Sequence, residues 1–286
     1  MTAWLAANAA LVYFTAIVGG FAVVAIWETC TPLRPASAPV GRRWTVNIAL
    51  LCIDNLAVHA LLPVAALGAA MHAQAQGWGL LPRLGAPGPA LVLVGLLSMD
   101  LLRWLLHLAM HRLSWLWRLH SVHHSDTDYD CTIGLRFHPL EALLSAVVLV
   151  AAVSALGVPP GIVVLSEALT LALGFFAHGN VSLPPRWDRM LRLVLVTADT
   201  HRIHHSCLRR ESMSNFGSVF SFWDRLFGTY TAAPAAGPLG MSIGLAELRD
   251  PAQLTLPRLL LMPFRRPAAP GSEPSPLCRP GGRGSG

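Results

Sequence analysis

The sequence predicts an all-α integral membrane protein. It is expected to be a helical bundle of about four to five spans, with a cytoplasmic helical cap holding a histidine-rich dinuclear metal site. Three observations carry that reading. Apolar residues make up 53% of the 286-residue chain and charged residues only 13%, and the mean hydropathy is +0.51. A soluble chain carries about 25% charged residues, so roughly half the usual solvating surface is missing. Long apolar stretches recur, and histidines repeat a fixed spacing between them.

A span needs about 20 apolar residues to cross a hydrocarbon core roughly 30 Å thick. Ala3–Trp27 meets this with no charge at all. It is too long for the core of a signal peptide and lacks a basic leader, so it reads as a retained span. Asn47–Met71 is a second span, interrupted by Asp54, Asn55 and His59, with a re-entrant segment as its alternative. Ala90–Leu108 is the third. Leu140–Val158 and Gly161–Ala177 form a hairpin about Pro159-Pro160, a pair that breaks helices.

Every one of the 21 basic residues is arginine, and their placement sets the orientation. The 28–46 connection holds three, 109–139 holds three and 178–286 holds thirteen, whereas 72–89 holds only Arg83 and the Pro-Pro corner none. Five spans with an external N-terminus place each arginine-rich segment on the cytoplasmic side. The absence of lysine and the wealth of Ala, Leu, Gly and Pro suggest a bacterial coding sequence, hence a bacterial inner membrane. The net charge of +6 then faces anionic lipid headgroups rather than nucleic acid. Five scattered cysteines indicate neither a disulfide framework nor a cysteine zinc site. Leu254–Phe264 reads as a short helix, interfacial or packed, and from about residue 265 the Pro-, Gly- and Arg-rich end reads as disordered.

The histidines carry the chemistry. His107 and His111 are four apart and share a helix face. His120, His123 and His124 form His-x-x-His-His, and His201, His204 and His205 repeat it. With 12 histidines in the chain, chance predicts about 0.02 occurrences of that spacing, and there are two. Adjacent members diverge by about 100° on a helix, so they can serve different ions. His138 and His178 stand at the ends of the apolar hairpin, whereas His59 and His72 read as incidental. Imidazole is a borderline donor suited to Fe, Zn, Cu or Ni, and one tetrahedral ion uses four ligands, so this many rings point to two metals. Neutral ligands leave the metal charge unbalanced. Asp126, Asp128, Asp130, Glu141, Asp188, Asp199 and Asp224 are candidates to hydrogen-bond the far ring nitrogens and offset it, with solvated or helix-capping roles as the alternative for most of them.

From Asp100 to Glu141, DLLRWLLHLAMHRLSWLWRLHSVHHSDTDYDCTIGLRFHPLE, the chain resembles the fatty acid hydroxylase/sterol desaturase superfamily. So do AHGNV (177–181), TADTHRIHHS (197–206), NFG (215–217) and WDRLFGTY (223–230). The resemblance implies a membrane-bound, non-haem di-iron enzyme with O2 as co-substrate, hydroxylating an unactivated C–H bond of a membrane lipid. Electrons would come from an external redox carrier, since no haem, flavin or iron–sulfur motif occurs. The implied catalytic ligands are His107, His111, His120, His123, His124, His178, His201, His204 and His205. His138 is added to the metal-binding set, with a supporting contact as its alternative. The implied division is an N-terminal transmembrane region over 1–88, a catalytic domain over 89–230 and a C-terminal extension over 231–286. Trp223-Asp224 and Phe227-Gly228-Thr229 read as structural, and Asn180 and Asn215 as hydrogen-bonding ligands or backbone. Leu108, Ala198 and Phe216 depart from residues common in the family, which touches substrate fit and removes no ligand.

Two further readings compete. A lipid desaturase would use the same iron site. A histidine-rich metal-binding protein or transporter would place polar residues through the middle of several spans, where this chain has mainly Asp54 and Glu167.

Overall fold

The computed structural model describes residues 1–62, 64–85, 87–265 and 278. The described residues form helices and connecting loops, with two isolated bridges, Leu195 to Phe220 and Ser206 to Ile243, and no extended strand. Five segments are long and apolar enough to cross a membrane, in keeping with the bundle the composition predicts. They are α1 (Ala9–Cys30), a second segment over Val40–Ala75, α4 (Gly88–Arg112), α6 (Pro139–Leu156) and α7 (Pro160–His178). The second comprises two helices, α2 (Val40–Leu61) and α3 (Ala66–Ala75). The chain places Pro63 between them, and proline cannot continue a helix that needs its N–H.

The spans share one sidedness. At one end, Leu33 N–H donates to the Asn180 carbonyl at 2.8 Å, and the Ser37 hydroxyl donates to Asp128 at 2.6 Å. The loop after α1 is thereby joined to the segments after α7 and α4. At the other end, the turn before α4 meets the turn after α6. Gly79 and Gly157 both have positive φ, and a Cβ on Gly79 would sit 2.3 Å from the Gly157 Cα, so only glycine fits this backbone contact. Apolar residues of α3, α4, α6 and α7, among them Ala70, Met99, Val153 and Ile162, fill the bundle beside it. All three arginine-rich segments thus lie at the end that carries the histidines.

That end is capped by short elements: α5 (Ser114–His120), α8 (Pro185–Leu191), α9 (Ala198–His204) and α10 (Phe222–Leu226). The short helix expected near the C-terminus is α11 (Leu256–Leu261), and it is a packed one, with Leu259 buried against Leu50 of α2 and Val122. The tail expected to be disordered falls, apart from Arg265 and Cys278, outside the described residues. Cys207 and Cys278 are disulfide-bonded, a pairing that the scattered cysteine spacing did not indicate.

Asp100 of α4 fastens the cap to the bundle. Its carboxylate accepts from Val219 N–H and Phe220 N–H, both at 3.1 Å, and from Trp223 Nε1 at 2.9 Å. Removing the acceptor strands buried donors at about 1–3 kcal/mol each. Asp100→Ala is expected to destabilise the purified protein by about 3 kcal/mol or more, read as a lower thermal midpoint in detergent. Asp100→Asn, which keeps one acceptor, should lose less.

Candidate metal centre

Nine of the ten predicted histidines meet in two groups. His107, His111, His120, His124 and His204 form one, and His123, His178, His201 and His205 the other. Within each group the available ring nitrogens lie within 4.8 Å of one another. Separation along the chain sorts the members. The pairs His107/His111, His120/His124 and His201/His205, each four apart, stay in one group, while the neighbours His123 and His204 turn into the opposite one. The groups stand back to back, with the rings of His124 and His205 stacked at 4.4 Å.

Backbone carbonyls aim four of these nine rings. His107 Nδ1 donates to the Phe216 carbonyl at 2.9 Å, His178 Nδ1 to Gly174 at 2.7 Å, His204 Nδ1 to Ser214 at 2.7 Å and His123 Nδ1 to Arg136 at 3.2 Å. Each bond fixes the proton on Nδ1 and leaves a lone pair on Nε2. His120 is the exception, held at Nδ1 by the Glu141 carboxylate at 2.6 Å. This corrects the expectation of a carboxylate shell. Asp126 and Asp130 pair with Arg43, Asp188 with Arg192, and Asp199 with Arg202. Asp128 accepts from the 37–38 backbone, and Asp224 from the 216–217 backbone, Trp104 and Thr229. Of the seven candidates, Glu141 alone hydrogen-bonds a clustered ring.

The donor set fits cations. His178 Nε2 faces His123 Nε2 at 3.3 Å and His201 Nε2 at 3.0 Å. Because Nδ1 holds the proton in both His178 and His123, two lone pairs point at each other, a repulsive arrangement unless a positive charge lies between them. In the first group, Nε2 of His107, His120 and His204 is buried without a protein partner, and His111 Nε2 lies 3.1 Å from His124 Nε2. His123, His124, His201, His204 and His205 stay neutral as well. Burial first, and neighbouring imidazoles second, hold His123, His124, His201 and His205 well below the ordinary imidazole value, and burial lowers His204 to about 3.

His138 joins neither group. Its Nδ1 accepts from Leu140 N–H at 3.2 Å and caps α6, and its Nε2 donates to the Leu260 carbonyl at 3.1 Å. Both ring nitrogens are occupied by backbone, so the ligand assignment for His138 is replaced by a capping role. Asn180 and Asn215 bind backbone rather than rings. Asn180 exchanges hydrogen bonds with Arg34. Asn215, at φ 55°, clasps the Thr200 carbonyl and both backbone groups of Thr231.

Buried polar side chains set the loops that bear the rings. Arg136 donates to the Val122 carbonyl, the Ser125 hydroxyl and Asn47 Oδ1 at 3.0, 2.8 and 2.7 Å. It therefore shapes the turn that presents His123 and His124. Arg43 of α2 donates to Asp126 at 2.8 Å and to Asp130 at 2.7 Å. Burial alone would raise the Asp126 carboxyl, but Arg43 and Arg136 hold it below its usual value. α9 starts with a capping box between Thr197 and Thr200, which orients His201, His204 and His205. Sequence reasoning missed Arg136, Arg43 and the carbonyl acceptors. A lone buried arginine leaves no periodic signal, and a peptide carbonyl leaves none at all.

A cavity of about 500 Å³ opens on the histidines. His107, His120, His123, His178 and His201 line one end, and Leu102, Leu106, Ala146, Leu149 and Leu171 of the spans line its apolar walls.

The lowered imidazoles fix how the metal-free protein responds to acid. Their folded values lie below the 6.5 of a free imidazole, so below that pH the unfolded chain binds more protons than the folded one. Stability is complete above about 6.5 and falls as the pH drops towards the folded values. Each such ring removes about 1.4 kcal/mol per pH unit. The thermal midpoint of chelator-treated protein should fall steadily from pH 7 to pH 5, and less steeply after His204→Asn. A flat profile would contradict the burial described.

Residues 92–229 match the fatty acid hydroxylase family. The chain is 30% identical over 138 residues to alkylglycerol monooxygenase of Homo sapiens, covering 48% of this chain and 29% of that protein. It is 29% identical over 154 residues to ornithine lipid hydroxylase OlsE of Rhizobium tropici, covering 54% and 45%. Cholesterol 25-hydroxylase-like protein of Danio rerio is 30% identical over 136 residues, covering 47% and 53%. The chain thus spans between about a third and a half of the length of these relatives. No solved structure matches it. The matched segment contains all nine clustered histidines, and over it the chain is similar to the fatty acid hydroxylase family.

Proposed function

We propose that this protein is a membrane-bound, O2-dependent hydroxylase of an unactivated C–H bond in a lipid, with two iron ions held by its two histidine groups. The observation that carries the reading is the junction of an apolar cavity inside the spans with the convergent, uncharged nitrogen donors at its end. The names of the three relatives, each a hydroxylase or monooxygenase, support hydroxylation over desaturation. A donor set rich in neutral imidazole suits a redox-active first-row metal. When bound, iron supplies the one-electron chemistry that activates O2 and takes hydrogen from carbon.

The chain's own residues supply the rest. His107, His111, His120, His124 and His204 would hold one ion, and His123, His178, His201 and His205 the other. The five peptide and carboxylate contacts at Nδ1 keep those rings from turning away. Glu141 brings negative charge to the first group through His120. Leu102, Leu106 and Leu171 exclude water and guide a hydrocarbon chain from the bilayer to the ring nitrogens. Electrons would come from a separate donor protein meeting the cap. We assign 89–230 as the catalytic unit, with 1–88 and 231–286 packing around it. The common end of the three arginine-rich segments supports a cytoplasmic cap, in a bacterial inner membrane.

Purified protein should contain about two irons per chain, and His124→Ala and His205→Ala, one from each group, should each lower that content. Activity should fall at least about 100-fold in both. Lipids from expressing cells should gain one oxygen atom. Loss of two hydrogens would mean desaturation, and full metal content in both variants would reject the ligand assignment. A reporter fused to the C-terminus should be active on the cytoplasmic side, and activity outside would reverse the orientation.

A further inference from the structure

The cavity is not uniformly apolar, and its polar groups are unequal. Arg103 of α4 lines it one helical turn from His107, a rise of about 6 Å. Arg103 is engaged already: NH1 donates to the Ser166 hydroxyl at 2.8 Å, and Glu167 lies within electrostatic reach. Glu167 in turn accepts from the Tyr13 hydroxyl. On the facing wall, Asp54 of α2 is 5% exposed and lines the same cavity. Its Oδ1 is buried and bonds to no protein group among the described residues. Glu141 of α6 is 4% exposed, lines the cavity and spends Oε1 on His120, while its Oε2 is likewise buried and unpartnered. The two carboxyl groups interact electrostatically.

Unpaired carboxyl oxygens inside a membrane-spanning bundle are costly, and such residues mark functional sites. Both residues line the space that a lipid would fill, whereas Arg103 is matched by partners of its own. A ligand that completes this site therefore brings a hydrogen-bond donor. A fatty acid would instead set a third carboxyl group beside the two that line the cavity.

We propose that Asp54 is a specificity-determining residue that binds a hydroxyl or ammonium group of the lipid, with Glu141 as the second acceptor. The inference rests on the hydroxylase reading and names its substrate class: a lipid alcohol or amine rather than a free fatty acid or a hydrocarbon. Because Glu141 also holds His120, the oxidised carbon lies within a few bonds of that polar group and not at the far end of a long chain.

The test is binding of hexadecanol, hexadecylamine, palmitate and hexadecane to the full-length protein in nanodiscs, with iron content measured on each sample. Wild type should bind the alcohol or the amine about tenfold or more tighter than palmitate or hexadecane. Asp54→Leu should weaken the preferred probe by about ten- to a hundredfold and leave hexadecane binding and iron content unchanged. Asp54→Asn keeps a carbonyl acceptor, so alcohol binding should persist while amine binding drops, and this variant decides the matter if the leucine variant fails to fold. Tighter binding of palmitate, or equal binding of alcohol and amine by wild type and both variants, would overturn the proposal. Since binding needs no turnover, an inactive protein that still selects the alcohol or amine would refute the hydroxylase reading and leave the role of Asp54 standing.

Discussion

Nine imidazole rings occupy a dry interior with their unprotonated nitrogens turned towards one another, and the molecule is organised around tolerating that. Bare lone pairs repel at the spacings found here. Five of the rings hold their places because peptide carbonyls from several different segments, and the Glu141 carboxylate, grip the opposite nitrogen. Those carbonyls are fixed in turn by buried side chains: Asp224 beneath Phe216, Asn215 beside Ser214, and Arg136 under its own turn. Burial keeps His123, His124 and His205 uncharged, which preserves them as donors. Desolvation, tautomer and position are thus one constraint.

The same constraint explains how the cap and bundle depend on each other. His107, His111 and His178 end spans, whereas the other six rings come from the cap. Neither part alone completes either group. Asp100 binds the 219–223 segment from within α4, and Arg43 reaches from α2 to the aspartates behind the His123-His124 turn. The cavity forms on the lipid side of this seam, so a hydrocarbon chain can reach the nitrogens without crossing water.

Much of this was legible in the residues. Apolar run length located the five segments to within a few residues, apart from the second, which comprises two helices. Rings four residues apart share a group in all three pairs, although His120 ends α5 and His124 lies on the short 3-10 turn that follows it. His138 misled because a histidine at the start of a span has two uses, and the chemistry that caps a helix is the chemistry that binds a metal. The carboxylate shell was overestimated for a related reason. Aspartates near histidines in sequence met arginines from distant segments instead, and such pairings depend on tertiary placement. The unpartnered oxygen of Asp54 became visible only once α2 and α6 had been set around a common space.

Holding rings by peptide groups rather than side chains has an evolutionary consequence. The carbonyls of Gly174, Ser214 and Phe216 do their work whatever side chain hangs from the same residue, provided the backbone path survives. Substitutions at these positions can change what packs beside His107, His178 and His204 without removing the acceptor that holds each ring. Divergence in what is oxidised is therefore separable from conservation of how.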